Sequence, residues 1–219
     1  MQWVERLAYT ISKKSRTQKF QFFLRALAPL QTQSILDVGV NDTEYSPTDN
    51  YLEKHYPFPH AITAVAHERL DHFRATYPHI KAIVASGTKL PFEDSAFDIA
   101  YSNAVIEHVG NRDAQKTFLT ELFRVSKRGY ITTPNRRFPI EVHTRIPLLH
   151  LLLPKKYFDA FLKRIGKGWA ADDYMHLLSY ADIETLFHSL PHCHYTIHRH
   201  RFLGLTMTFS IVWTKENAE

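Results

Sequence analysis

Four places in the 219-residue sequence gather side chains able to do chemistry. In ILDVGVNDTEY (residues 35–45), Asp37 stands two residues before Gly39 at the end of a short apolar run. An acid there can anchor a ligand, and glycine lets backbone approach it closely. Only one glycine is present, so the G-x-G-x-x-G cradle for a pyrophosphate is not formed. Glu107 with His108 in IEHV, and Glu141 with His143 in PIEVHTRIP, each pair a carboxylate with an imidazole. That pairing suits removal of a proton from an acceptor hydroxyl. The structural alternatives are hydrogen bonding for His108 and capping or ion pairing for Glu141 and His143. His192, His194, His198 and His200 would share one face of a strand, with Cys193 on the other. Zinc-type ligand spacings are absent, so no metal is expected. The serine-hydrolase elbow and the phosphate-binding P-loop are also missing.

These residues need elements to position them. Apolar runs at Ser34–Val38, Ala61–Val65, Lys81–Ala85, Phe97–Ser102 and Gly129–Thr133 read as strands. Between them lie helical patterns over about Leu70–Tyr77, through His108, and over Arg112–Ser126. Alternation of this kind implies an α/β fold, a parallel sheet with helices on both faces, and ligands beyond the carboxyl ends of the strands. Ser15 precedes a helical pattern with Phe20, Phe23, Leu24 and Leu27, stopped by Pro29, and Trp3–Ile11 reads as a shorter helix before it. After Pro134 the rhythm breaks. Residues 135–168 combine three prolines, an apolar patch Ile146–Leu153 and a basic stretch Lys155–Lys167, and read as an insertion over the mouth of the sheet. A helix at Tyr180–Ser189 and antiparallel strands near Cys193–Arg201 and Leu205–Thr214 close the chain. The expectation is one domain: a helical segment 1–33, a core 34–134, the insertion, and a C-terminal unit 169–219.

Composition narrows the class. With 44% hydrophobic and 13% aromatic residues the chain is not disordered, and Gly 7 with Pro 11 excludes low complexity. A lone Cys193 excludes a disulfide framework and points to a reducing, cytoplasmic setting. No apolar run is long enough to span a membrane. The net charge of +5 is concentrated in two blocks, residues 1–33 and the insertion, around a mildly acidic middle. Such blocks favour an anionic partner: nucleic acid, a lipid surface or a phosphorylated substrate.

The assembled motifs, ILDVG, ITAV, LPFEDSAFDIAYSNAVIEHV (residues 90–109) and ELFRVSKRGYITTPN, closely resemble the class I S-adenosylmethionine (SAM)-dependent methyltransferases. The closest likeness is to the small-molecule group with an LPF-x-D-x-x-FD block. The resemblance covers about residues 34–133, and more loosely 176–214. It implies a Rossmann-like sheet of seven strands in the order 3-2-1-4-5-7-6, strand 7 antiparallel, with SAM as cofactor. Asp37, Gly39 and Val40 match the first cofactor motif. Glu68 is the nearest acid for the ribose hydroxyls, although the family often places it where this chain has Ala66 and His67. Ser86-Gly87-Thr88 occupies the adenine-contacting turn, with Ser86 in place of the usual Asp. Ser102 and Asn103 match residues that face the cofactor. His108 and His143 are the candidate bases. Methyltransferases of the ubiquinone pathway are similar where TPN leads into the apolar and basic insertion. The resulting expectation is in-line O-methylation of a small, lipid-linked or saccharide acceptor, with peripheral membrane contact through residues 146–167. The alternatives are an RNA methyltransferase, or a non-catalytic binding protein on the same fold. Against RNA, the chain has no appended RNA-binding module and no N/D-P-P-[YF] motif.

Overall fold

The computed structural model describes residues 2–141, 143–172 and 175–216, with side chains from residue 10 onward. Seven strands form one sheet: β1 (Ile35–Val38), β2 (Ile62–Ala66), β3 (Lys81–Val84), β4 (Phe97–Asn103), β5 (Ser126–Pro134), β6 (Cys193–Phe202) and β7 (Leu205–Lys215). Their order is β3-β2-β1-β4-β5-β7-β6. Pairing is parallel from β3 to β5, and β7 runs antiparallel to both β5 and β6. The expected topology is the one observed.

The two-residue period of the strands divides the core between two faces. Leu36 and Val38 of β1 pack with Phe118, Leu119 and Leu122 of α4 (Arg112–Val125) and with Ile183 and Phe187 of α7 (Tyr180–His188). Ile35 points the other way, into a cluster with Phe23 of α1 (Gln2–Leu27), Leu52 of α2 (Tyr51–His55) and Phe73 of α3 (Asp71–Thr76). Asp37 shares that second face. Helix α4 starts where the Asn111 side chain accepts from the Asp113 and Ala114 amides, and α7 starts on a Ser179–Asp182 capping box. Two expectations need revision. The N-terminal segment is a single helix rather than two, and the short α2 carried no periodicity long enough to be read.

Helix α1 is held over the sheet by aromatic rings. Phe23 meets Tyr101 edge-on at 5.0 Å and Tyr130 at 5.4 Å, and Phe22 stacks on His198 at 4.3 Å. The Tyr130 hydroxyl lies 2.9 Å from the Lys19 carbonyl and 2.7 Å from Ser210 Oγ, tying α1 to β5 and β7. The strand-6 histidines are therefore partly covered: His200 is buried, with Nε2 2.8 Å from Ser210 Oγ.

The insertion builds a small core of its own. Phe158 and Leu162 of α6 (Lys155–Arg164) pack against Ile146, Ala170, Ala171 and Met175, next to the one-turn α5 (Leu149–Leu152). Ala170, Ala171 and Met175, which follow the insertion in the chain, contribute to this core. Replacing Tyr130 by Phe should cost about 1 kcal/mol, the loss of a buried hydroxyl's hydrogen bonds. Urea unfolding of Tyr130→Phe against the parent chain checks this.

Candidate functional site

The carboxyl ends of β1, β2, β4 and β5 open toward α1 and the insertion. After β1 the chain turns at Gly39, where φ is +107° and a Cβ would stand 2.2 Å from Val105 Cγ2. Glycine is needed here because of the positive φ and because the Val105 side chain, just before the turn at Ile106–His108, fills the space of a Cβ. The Gly39 and Val40 amides both donate to the Val65 carbonyl, at 2.8 and 3.3 Å. Side chains do the shaping that further glycines do elsewhere. Asn50 pairs reciprocally with the Asn41 backbone at 2.9 Å, and Asp42 accepts from the Phe73 amide at 3.0 Å.

Asp37 and Glu53, on α2, are both buried at this edge. Burial raises the Asp37 pKa well above the ordinary carboxylate range, and the negative neighbour Glu53 adds to it, while Arg16 opposes. Burial likewise raises that of Glu53. Asp37 and Glu53 are close enough to share a hydrogen bond when one of them is protonated; without that proton neither Glu53 oxygen has a partner among the described residues. Two buried acids that can be held only by sharing a proton suit a cationic ligand group, and the ammonium of a bound amino acid moiety such as the methionine end of SAM meets that need. Glu68 is exposed in the bend after β2. Ser86 and Thr88 bond each other at 2.8 Å, shaping the turn after β3. At Gly87 a Cβ would stand 2.6 Å from the Phe118 ring. Ser102 is spent on structure, its buried hydroxyl donating to the Val38 carbonyl at 2.8 Å, and Asn103 Oδ1 accepts from Thr132 Oγ1 at 2.8 Å.

The two histidines singled out in the sequence meet. His108 Nε2 and His143 Nε2 are 3.3 Å apart, although 35 residues separate them in the chain. His143 Nδ1 lies 2.8 Å from Glu141 Oε1. Burial alone would raise the Glu141 pKa, but the hydrogen bond and charge of His143 bring it down to about 2. Glu107 is fully buried, with Oε2 accepting from Thr133 Oγ1 at 3.0 Å. Helix α1 contributes residues that the sequence reading missed as site residues. Lys19 is buried, and burial, with Arg16 nearby, lowers its pKa to about 7. The only signal for it was position: Ser15, Lys19, Phe23 and Leu27 lie on one helix line at i, i+4 spacing. Glu53 had no such signal.

A cavity of about 400 Å³ opens beside the histidines. Arg16, Lys19, His143 and Arg145 line it together with Phe138, Ile140, Phe202 and Met207.

Residues 51–132 match the family model described as a methyltransferase domain. The sheet order β3-β2-β1-β4-β5-β7-β6 is that of the class I SAM-dependent methyltransferase fold. The match starts downstream of β1, so the loop Asp37–Val40 lies outside it. Solved structures share the methyltransferase fold at low identity. A SAM-dependent methyltransferase from Methanosarcina mazei is 16% identical, with TM-score 0.55, covering 85% of this chain and 94% of that one. A putative sarcosine dimethylglycine methyltransferase from Galdieria sulphuraria is 12% identical, with TM-score 0.60 and coverage of 94% and 87%. The 1,6-didemethyltoxoflavin-N1-methyltransferase of Burkholderia thailandensis, crystallised with its substrate and S-adenosylhomocysteine, is 13% identical, with TM-score 0.58 and coverage of 98% and 81%. A search of curated proteins finds no match.

Because the Asp37 and Glu53 pKa values are raised on folding, the protein binds more protons folded than unfolded there. Its stability should fall as pH rises from the ordinary carboxylate range through those values. Glu53→Gln is expected to flatten that decline and raise Tm near pH ~8, by about 2–4 °C per kcal/mol relieved, while weakening SAM binding. Thermal melts across pH, with SAM calorimetry on the same variant, test both halves.

Proposed function

We propose that this methyltransferase methylates an oxygen of a small, anionic, amphiphilic acceptor of the lipid-linked or saccharide-lipid type. The observation that carries the reading is the mixed lining of the cavity. Arg16, Lys19 and Arg145 can meet an anionic group, and Phe138, Ile140, Phe202 and Met207 an apolar body. It adjoins Ala104, just past β4, and Pro134, the last residue of β5, where an acceptor would approach a cofactor lying over β1.

SAM supplies an activated methyl group when bound. Asp37, Glu53 and the Gly39–Val40 backbone would hold its methionine end, and the Ser86–Thr88 turn its adenine. Helix α1, Phe138, Ile140 and Arg145 would exclude water from the acceptor side, where alignment of the reacting atoms dominates the rate. His108 and His143 face the place where the acceptor hydroxyl loses its proton, and Glu141 stabilises positive charge gathering on His143.

The insertion supports delivery from a membrane surface. Leu151, Leu152, Tyr157 and Trp169 are exposed, beside exposed Lys156, Lys163 and Arg164. Apolar residues rimmed by basic ones suit an anionic lipid interface. No helix among the described residues is long and apolar enough to cross a membrane, so such contact would be lateral.

Calorimetry should detect SAM binding, and labelled methyl should pass from SAM to an anionic lipid fraction. Arg145→Ala should raise the acceptor KM by about tenfold or more, the cost of losing a charged hydrogen bond, and leave kcat nearly unchanged. Absence of SAM binding near ~1 mM, an affinity of only about −4 kcal/mol, would sink the reading.

The double variant Leu152→Asp/Tyr157→Asp should lose sedimentation with phosphatidylglycerol vesicles while keeping SAM affinity. Sedimentation that is equal for the variant and the parent chain would remove the membrane part of the proposal.

A further inference from the structure

Glu107, His108 and His143 each offer one donor atom, and the three atoms lie within 4.8 Å of one another. His143 Nε2 stands 3.3 Å from His108 Nε2 and 4.0 Å from Glu107 Oε1. Around an ion with metal–nitrogen bonds of about 2.0–2.1 Å, neighbouring tetrahedral ligands stand about 3.4 Å apart. The two imidazoles already have that spacing.

A second observation concerns the carboxylate. Glu107 is fully buried, and its Oε1 has no hydrogen-bond partner among the described residues, although Oε2 is bonded to Thr133. A buried carboxylate oxygen facing two imidazoles without a partner is a costly arrangement in the ion-free chain. A cation among the three removes that cost.

The surrounding residues are arranged as an outer shell. Glu141 Oε1 receives the Nδ1 hydrogen of His143 at 2.8 Å, which leaves the Nε2 lone pair directed at His108 and Glu107. Thr133 orients Glu107 in the same way. The turn carrying Glu107 and His108 is pinned from behind, where Gln115 Nε2 donates to the Ile106 carbonyl at 3.2 Å and the His176 amide to the Glu107 carbonyl at 2.7 Å. Ligands fixed by carboxylate and hydroxyl partners are the mark of a prepared metal centre.

We propose that Glu107, His108 and His143 bind one divalent first-row transition ion of the Zn²⁺ type. Two imidazoles and one carboxylate suit Zn²⁺, Co²⁺ or Fe²⁺ rather than Mg²⁺ or Ca²⁺, which prefer all-oxygen shells. His143 lines the acceptor cavity, so the open coordination positions face it. For an acceptor oxygen bound there, which rests on the function proposed above, the ion would stabilise the deprotonated form and replace the two histidines as the agent that removes the proton, since their Nε2 atoms would be its ligands. The site itself stands independently of that role. Ligand spacing along the chain cannot reveal donors on two segments 35 residues apart, so no metal motif was legible there.

The test is direct metal binding by the full-length, tag-free chain after dialysis against a chelator, so it does not depend on methyl transfer. Co²⁺ should bind at one equivalent per chain with visible d–d absorption, and Zn²⁺ should displace it while Mg²⁺ does not. His108→Ala and His143→Ala should abolish the bands, and Glu141→Gln should weaken binding by about 10–100-fold. Circular dichroism of each variant separates ligand loss from misfolding, and the outer-shell variant keeps the test informative if a ligand variant unfolds. His194→Ala, which alters the exposed His192–His194–Glu216 group, should leave the spectrum unchanged. No stoichiometric Co²⁺ binding overturns the proposal. So do bands that survive in His143→Ala or that vanish only in His194→Ala.

Discussion

Four carboxyl groups, on Asp37, Glu53, Glu107 and Glu141, are buried at the carboxyl edge of the sheet, and the neighbouring elements are arranged around compensating them. Burying an unpaired charge costs several kcal/mol even after relaxation, so each acid must be protonated, paired or supplied with a ligand. The four resolve the constraint differently. Glu141 is paired with His143 and stays ionised. Asp37 and Glu53 shift toward the protonated form. Glu107 has one oxygen bonded and one without a partner. The acids that are not satisfied within the protein are the ones that face the ligand side of the fold.

That constraint explains why α1 lies where it does. Arg16 acts on Asp37, and Glu107 acts on Lys19, so the helix sets cations over an acidic edge. Its other attachments are apolar and aromatic: Phe20, Phe23 and Leu27 are buried, and Phe23 sits between Tyr101 and Tyr130. The basic N-terminal block in the sequence is therefore partly structural. The charge of the insertion is used differently. Lys155 and Lys163 pair with Asp159 and Asp172, while Lys156 and Arg164 face solvent next to exposed Tyr157.

Much of the fold was legible along the chain. The strand–helix alternation, the closing hairpin and the LPF-x-D-x-x-FD block predict the sheet order that is observed, because β-strand and helix periodicities are local properties. Asp37, Gly39 and the His108–His143 pair were also marked by type and context. Ser102 was less legible, since a hydroxyl at a strand end reads the same whether it only faces a ligand or also bonds, as here, the Val38 carbonyl of the neighbouring strand.

What the sequence determined by itself was the set of elements and the kind of chemistry, since both follow from patterns of a few residues. What only tertiary structure decided was which groups meet. The approach of His108 to His143, of Glu53 to Asp37, and of α1 to the mouth depends on packing between segments far apart in the chain. The energies involved, desolvation of acids and stacking of rings, arise only when water has been excluded between them.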